Sequence, residues 1–362
     1  MKPSTVEEAA ALVVAAEWPV RPVGHRTRAG WGGPESEPVS DVDMSAMDRV
    51  LEHNPGDFTA VLQAGAPLAD VQAALADAGQ WLAADPPGGG TIGGLVATAD
   101  SGPARHRYGG LRDLVIGITV VLADGTVASA GGKVIKNVAG YDLGKLFTGS
   151  LGTLGLITSV AVRLHPKPAG TVTVVASTDD PDALGRAVLA LARRPLEALS
   201  LDAWWEGDAG GLLVRFQGVS AAGQAAAVGP VLADVSIVED DEPLWTAQRA
   251  RQRCPDGVVV KVSGRPTDLP WVIDTARQHG ATVASRAGLG LSFLGFGAGD
   301  DLVHRVGAAR AALSPRPTTV LDGAALVTDA WPVADPGALE VMRRVKARFD
   351  PAGRFRPGVG GI

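Results

Sequence analysis

Glycines stand at positions 24, 30, 88, 89, 90, 93, 94, 102, 109, 110, 149, 152 and 155 of this chain. Glycine adopts positive φ and lets backbone approach a ligand closely. Successive bare N–H groups form nests for anions such as a pyrophosphate. Several such loops fit one extended, phosphate-bearing cofactor, and they also fit a loop-rich β domain with tight corners. The ordinary nucleotide motifs do not separate the two. No G-x-x-x-x-G-K-[ST] run occurs. Gly88-Gly-Gly-Thr-Ile-Gly93 satisfies G-x-G-x-x-G, but no strand–helix–strand unit surrounds it, so a Rossmann assignment fails.

Other chemistries find less support. The six histidines, His25, His53, His106, His165, His279 and His304, show neither H-x-H nor H-E-x-x-H spacing, so a zinc site is not expected. Cys254 is the one cysteine; alone it makes no intrachain disulfide and no cysteine-ligated cluster. Gly149-Ser-Leu-Gly152 is one residue short of a nucleophile elbow. Arg215, Arg249, Lys261 and Arg286 could hold a carboxylate, Arg bidentately; the bland alternative for each is a surface or salt-bridged side chain. Asp41, Asp43 and Asp48 read as solvated or capping residues, and Asp113 as an ion-pair partner of Arg112. With 33 basic against 39 acidic residues, net −6, the chain is a poor nucleic-acid or anionic-membrane binder. It shows no signal peptide and no apolar run of the ~18 residues a span needs. The expectation is a soluble, cytoplasmic protein.

The elements that must position these residues follow from pattern. Hydrophobic residues make up 46% of 362, enough for two or three domains. Ser4-x-x-Glu7 and Thr5-x-x-Glu8 are capping boxes that open a helix. Strands are expected at 20–23, 59–63, 114–122 and 127–130, the last two joined by an Asp124-Gly125 turn. Segment 43–53 reads as loop-to-helix, 67–78 as a helix, and 142–147 as a helix capped by Asp142. Pro166 and Pro168 break the chain, which places a domain boundary near 166–170. Beyond it, strands at 172–177, 200–204, 212–216, 258–262, 289–296 and 320–327 alternate with helices at 181–194, 224–232, 244–253, 269–279 and 301–313. That is an α+β pattern, closed by a helix at 336–349. The tryptophans 204, 205, 245, 271 and 331 read as core.

Five segments in order carry a resemblance. They are Pro87-Gly-Gly-Gly-Thr-Ile-Gly-Gly-Leu-Val-Ala-Thr98, Arg107-Tyr-Gly-Gly-Leu-Arg-Asp113, Leu122-Ala-Asp-Gly125, Lys136-Asn-Val-Ala-Gly-Tyr-Asp142 and Gly149-Ser-Leu-Gly-Thr-Leu-Gly-Leu-Ile-Thr158. Together they resemble the FAD-binding domain of the vanillyl-alcohol oxidase or p-cresol methylhydroxylase (PCMH) type, and within it the FAD-binding subunits of glycolate oxidase. The tail Phe349-Asp-Pro-Ala-Gly353 resembles the family's C-terminus.

The resemblance implies an α+β, two-domain flavoprotein. Residues 1–168 would bind FAD, 169–335 would form an α+β cap, and 336–362 would pack back on the FAD domain. Four loops would meet the cofactor. The first contributes Pro22, Val23, Gly24, His25, Arg26 and Thr27. The second contributes Pro87, Gly88, Gly89, Gly90, Thr91 and Ile92. The third contributes Ala99, Asp100, Ser101 and Gly102. The fourth contributes Gly152, Gly155, Ile157 and Thr158, with Gly155 and Ile157 at the adenine end. A bulky residue at Gly102 is then expected to abolish flavin retention. Lys136 and Asn137 would lie near the flavin ring.

The sequence also departs from the family pattern. The first loop reads Val23-Gly-His-Arg-Thr27 where relatives carry a run of glycines, so Arg26 and Arg28 either add charge to the phosphates or crowd them. Leu151 stands where many relatives have Glu. His25 is one residue off the position that carries covalent FAD in some relatives, so non-covalent FAD is expected. The cap motif H-G-x-G-N-x-H of metal-using relatives is missing, which argues against a metal holding the substrate. The implied reaction is hydride transfer from a 2-hydroxy acid, or another small alcohol, to flavin N5. Electrons would pass to a second flavin subunit and an iron–sulfur subunit. An accessory FAD-binding subunit and a stand-alone oxidase of another alcohol are the alternatives. No catalytic base is identified.

Overall fold

The computed structural model describes residues 1–31, 38–133, 140–232, 234–327, 329–333 and 335–358. Thr5 caps α1 (Val6–Ala15) by accepting the Glu8 N–H at 3.1 Å, and Glu8 in return accepts the Ser4 N–H at 2.7 Å. Next come β1 (Val20–Val23), β2 (Ser40–Asp43), β3 (Val50–Asn54), β4 (Thr59–Gln63), α2 (Leu68–Ala76) and β5 (Gln80–Trp81). Three short helices follow, α3 (Ile92–Thr98), α4 (Arg105–Tyr108) and α5 (Leu111–Leu114). The hairpin β6 (Val115–Val121) and β7 (Val127–Gly131) turns on Gly125 at φ 84°. Helix α6 (Leu143–Phe147) starts where Asp142 accepts the Lys145 N–H, and β8 (Leu156–Arg163) and β9 (His165–Pro166) complete this half.

The remainder runs β10 (Val172–Thr178), α7 (Pro181–Ala192), β11 (Ser200–Glu206), β12 (Ala209–Phe216), α8 (Ala221–Val228), β13 (Asp234–Val238), α9 (Glu242–Ala250) and β14 (Val258–Ser263). It continues with α10 (Leu269–Gln278), β15 (Thr282–Arg286), β16 (Leu291–Phe296), α11 (Leu302–Ala312), β17 (Thr318–Val320) and α12 (Pro336–Phe349).

Two sheets organise these elements. One runs β3-β4-β8-β6-β7 and the other β13-β10-β12-β11-β15-β16-β14-β17. Every pairing within both is antiparallel. The first buries Leu62, Ile118, Val120, Val160 and Val162 against α2, α3 and α6. The second buries Leu201, Ala203, Trp205, Val258, Val260 and Val262 against α7, α8, α10 and α11. Because successive strand residues point to opposite faces, Asp202, Val259 and Lys261 fall on the other face. There Val259, Leu291 and Phe293 pack with Trp31, a residue of the N-terminal half.

The chain end returns to the first sheet. Phe349 meets Phe147 edge-on, with ring centroids 5.7 Å apart. Phe355 bridges to Val20 and is fully buried with α1.

Three expectations change. Residues 43–53 form one 3-10 turn and then β3, because pairing with β4 overrides the helical reading. Residues 320–327 are not a strand: β17 ends at Val320, and Gly323 at φ 71° opens a 3-10 turn. Strands β13 and β15 lack a continuous apolar run; β13 is an exposed edge and β15 carries Arg286 inward. Among the described residues no helix is long and apolar enough to cross a membrane.

Truncating a fully buried phenylalanine removes its packing and leaves a cavity. Phe355→Ala is therefore expected to cost about 3–5 kcal/mol of stability, read as an earlier denaturant midpoint. A midpoint equal to that of the parent would show that the tail does not hold the N-terminal half.

Candidate FAD site

A cleft of about 1100 Å³, counting its open mouth, lies between the loop after β1, helix α3, the loop before β8 and the tail at 356–358. Pro22, Val23, Gly24, His25, Arg26, Thr27, Thr91, Gly152, Gly155 and Ile157 line it, so the first and fourth predicted loops meet there. Gly93, Gly94, Thr98, Leu151 and Arg356 also line it. Pro87, Gly88, Gly89, Gly90, Ile92, Ala99, Asp100, Ser101, Gly102 and Thr158 do not. Lys136 and Asn137 lie outside the described residues.

The walls are held close by backbone contact. Gly93 N–H donates to Ala64 O at 2.7 Å and Ile92 N–H to Ala66 O at 2.9 Å, which seats α3 on the end of β4. A Cβ on Gly93 would stand 2.7 Å from that of Ala64, so only glycine fits. Leu151 N–H donates to Ala97 O at 2.8 Å, hanging the fourth loop on α3. Arg26, Ala99 and Leu151 hold φ of 56°, 51° and 55°, positive values that side chains resist. Such strain gathers where surrounding structure over-determines a loop.

The donor set suits a dinucleotide diphosphate. Among the described residues, the main-chain N–H groups of His25, Arg26, Thr27 and Arg28 make no hydrogen bond in the protein. Unpaired backbone donors call for a partner. The phosphates of a cofactor in this cleft would supply acceptors.

The second and third loops instead wrap a side chain. Arg28, buried, pairs with Asp100 at 2.6 Å and donates to Gly89 O at 2.7 Å, Pro87 O at 2.9 Å and Thr27 Oγ1 at 2.7 Å. A Cβ on Gly90 would stand 2.8 Å from the Arg28 guanidinium, so this glycine makes room for arginine. Arg26 pairs with Asp41. The charges of both arginines are therefore met within the protein.

From Asp100 a buried polar chain continues into the second sheet. Gln252 donates to Asp100 at 3.1 Å and accepts from Arg286. Arg286 pairs with Asp202 at 2.7 Å, both fully buried, and Gln248 donates to Asp202 at 3.1 Å. Beside it, Arg253 pairs with Asp322 at 2.7 Å and donates to Thr27 O at 3.1 Å. The sequence signals for these residues are a charge inside a strand, Asp202, and two glutamines four apart, Gln248 on α9 and Gln252 in the turn that follows it.

Several individual expectations are decided here. Of the four carboxylate-clamp candidates, Arg215 pairs with Asp241 at 2.6 Å, Arg249 with Glu242, and Arg286 with Asp202. The Lys261 side chain has no hydrogen bond or ion pair among the described residues. Asp113 does not pair with Arg112; it accepts the Gly110 N–H at 2.9 Å, because the turn leaves that donor open. Gly102 faces the Asp85 backbone, where a Cβ would stand 1.9 Å from the carbonyl oxygen. A bulky residue there would break the loop whatever the cleft holds. The Asp85 carboxyl accepts the Ala104 N–H at 3.0 Å, and its burial, opposed by nearby Arg286, pushes its pKa up to about 7.

Residues 1–131 match the FAD binding domain family. This region is an FAD-binding domain. A glycolate oxidase subunit of Bacillus subtilis, GlcD, is 32% identical over 275 residues, which are 74% of this chain and 57% of that protein. The glycolate oxidase subunit GlcE of Escherichia coli is 36% identical over 136 residues, 37% of this chain and 39% of its own. A mitochondrial D-lactate dehydrogenase (cytochrome) of Saccharomyces cerevisiae is 39% identical over 139 residues, 38% of this chain and 24% of its own. The chain thus spans from about a quarter to under three-fifths of these relatives. A solved alkyldihydroxyacetonephosphate synthase superposes with TM-score 0.71 over 99% of this chain and 75% of that one, at 16% identity, a likeness of fold. The matched region contains the glycine loops from Gly24 to Gly110; those at 149, 152 and 155 lie beyond it.

Gly94 lines the cleft from α3 without positive φ, and an added Cβ meets only Thr91 Oγ1 at 3.2 Å. Gly94→Leu is expected to fold with unchanged circular dichroism yet lose FAD on gel filtration. A parental flavin-to-protein ratio would count against this cleft. Asp85 makes a separate prediction. Its unfolded value of 3.8 lies below the folded one. The folded chain therefore holds a proton that the unfolded chain releases, and stability falls as pH rises from about 4 to about 7. Asp85→Asn is expected to remove that slope, worth on the order of a few kcal/mol, in denaturation at a series of pH values.

Proposed function

We propose that this protein is an FAD-dependent oxidoreductase that takes a hydride from a 2-hydroxy acid. Residues 1–168 hold FAD non-covalently, 169–335 cap it, and 336–362 close the FAD side. The single observation that carries the reading is the row of free N–H groups at 25–28 inside the family-matched region. In this reading they hold the diphosphate, and Gly24 and Gly152 let Thr91 and Pro22 pack close against the loops that carry it. Pro22, Gly155 and Ile157 flank the adenine end. The second and third loops, clamped on Arg28, position the rest. When bound, FAD supplies the hydride acceptor at N5. The chain's part is to orient the substrate and exclude water.

The substrate class follows the glycolate oxidase subunits and D-lactate dehydrogenases that the chain resembles. Electrons then leave through a partner, a second flavin subunit or an iron–sulfur subunit, since one cysteine cannot ligate a cluster. A second reading, an accessory FAD-binding subunit without catalysis of its own, is favoured by the internal pairing of three of the four clamp candidates.

Purified protein is expected to be yellow and to release its flavin into the supernatant on acid precipitation. Anaerobic glycolate or D-lactate is expected to bleach the flavin absorbance. Bleaching only after partner subunits are added selects the accessory reading. A folded, colourless protein that takes up no added FAD overturns both.

A further inference from the structure

Helix α12 carries the chain from the second half back to the first, and none of its 14 residues is buried. Its start is well formed: Asp335 caps it by accepting the Gly337 N–H at 2.8 Å, with Pro336 in the first turn. Its end is seated. Val345 and Phe349 pack on the core of the first sheet, and Lys346 donates to Thr153 O at 2.7 Å and to Phe355 O at 3.1 Å. Upstream the same face leaves the body. Ala338, Val341, Met342 and Val345 stand at i, i+3, i+4 and i+7, one stripe of a 3.6-residue helix. Val341 is 58% exposed and Met342 44%. We infer that this overhanging stripe of α12 docks in an apolar groove of a partner subunit, a groove whose rim carries aspartate and glutamate.

Packing supplies the first argument. A helix of this length is marginal in water by itself and is ordinarily held by burying its apolar face. Among the described residues, none of 336–344 makes a hydrogen bond, ion pair or core contact outside the helix and its cap. The apolar spacing that seats Val345 is thus repeated where this chain offers no seat. Anchors at i, i+3, i+4 and i+7 are the pattern by which an amphipathic helix enters a hydrophobic groove.

Charge supplies the second argument and selects the occupant. The chain as a whole is net −6, yet α12 carries Arg343, Arg344, Lys346 and Arg348 against Glu340. Lys346 is used internally, with Asp350 at 2.6 Å. The side chains of Arg343, Arg344 and Arg348 have no hydrogen bond or ion pair among the described residues. Arg344 and Arg348 lie one turn apart along one border of the stripe. Guanidinium groups at a rim favour a partner that presents carboxylates. A second copy seated by the same face would set these cations against each other. An anionic bilayer would meet the acidic surplus on the rest of the chain.

That the partner is a subunit of the same enzyme rests on the function proposed above; the stripe and its arginines do not. The test places a photoreactive side chain in the full chain, Met342→p-benzoylphenylalanine, and irradiates the cells that naturally express it. One partner is expected, joined through an apolar peptide flanked by acids. Val219→p-benzoylphenylalanine, at an exposed position of the second half, is expected not to capture it. The purified partner is then titrated against the chain by calorimetry. Arg344→Glu combined with Arg348→Glu is expected to weaken binding by about tenfold or more, and lysines in place of the partner's rim acids to restore it. In the isolated chain the amides of 338–344 are expected to exchange with deuterium faster than those of 346–349, and to slow once the partner is bound. No crosslink from Met342, a crosslink to a second copy, or parental affinity in the double arginine variant overturns the proposal. Full protection of 338–344 in the isolated chain does the same, since the stripe would then have its own support. Cosedimentation with phosphatidylglycerol and phosphatidylcholine vesicles, lost in the double arginine variant, would give the face to lipid and overturn the protein groove. Flavin content and bleaching by glycolate, read on the same samples, separate the two proposals. Yellow, active protein that captures nothing through Met342 sinks the docking face alone, and colourless protein that captures its partner there sinks the FAD reading alone.

Discussion

One buried ion pair, Arg28 with Asp100, holds the candidate site in shape. Both side chains are under 5% exposed. Taking two charges out of water costs several kcal/mol each, and the arrangement survives only when the remaining hydrogen-bonding capacity is filled. Here Pro87 O, Gly89 O and Thr27 Oγ1 fill it. Together with Asp100 these partners come from three separate loops, so a single guanidinium sets their mutual positions. The first loop is then left with its N–H groups from His25 to Arg28 directed away from internal acceptors, the condition for an anion cradle.

The same pair reaches beyond the FAD-binding domain. Asp100 hands its second oxygen to Gln252, and through Arg286 and Asp202 the polar chain runs into the middle of the eight-stranded sheet. A sheet face that met only helices would be apolar. This one carries Asp202, Lys261 and Arg286 because it meets polar loops of the N-terminal half instead. The two halves are therefore joined by charge and hydrogen bonds at their centre, with the apolar Trp31, Val259 and Phe293 cluster beside them. In a low-dielectric interior such networks hold their geometry when satisfied and are costly when broken.

This junction also fixes which cations are available to a ligand. Arginines that look alike in sequence divide sharply: Arg215, Arg249 and Arg286 answer to acids of their own half, and Arg28 to an acid of the third loop. The Lys261 side chain, on the same sheet face as Asp202 and Arg286, has no hydrogen bond or ion pair among the described residues.

Much of the scaffold could be read without coordinates. Capping at Thr5 and Asp142, the Asp124-Gly125 hairpin, strand Thr59–Gln63 and the helices of the second half are local effects, set by residues a few positions apart. The glycine loops and their family likeness were equally plain, because backbone conformation and close approach leave their mark on residue type. Strands β3, β13 and β15 were not legible, since each is defined by a neighbour far along the chain. Nor was the division of the predicted loops, two on the cleft and two around Arg28. Sequence alone gave a glycine at 90 and an arginine at 28; that the first exists to admit the second depends on a contact across more than sixty positions, which no local pattern encodes.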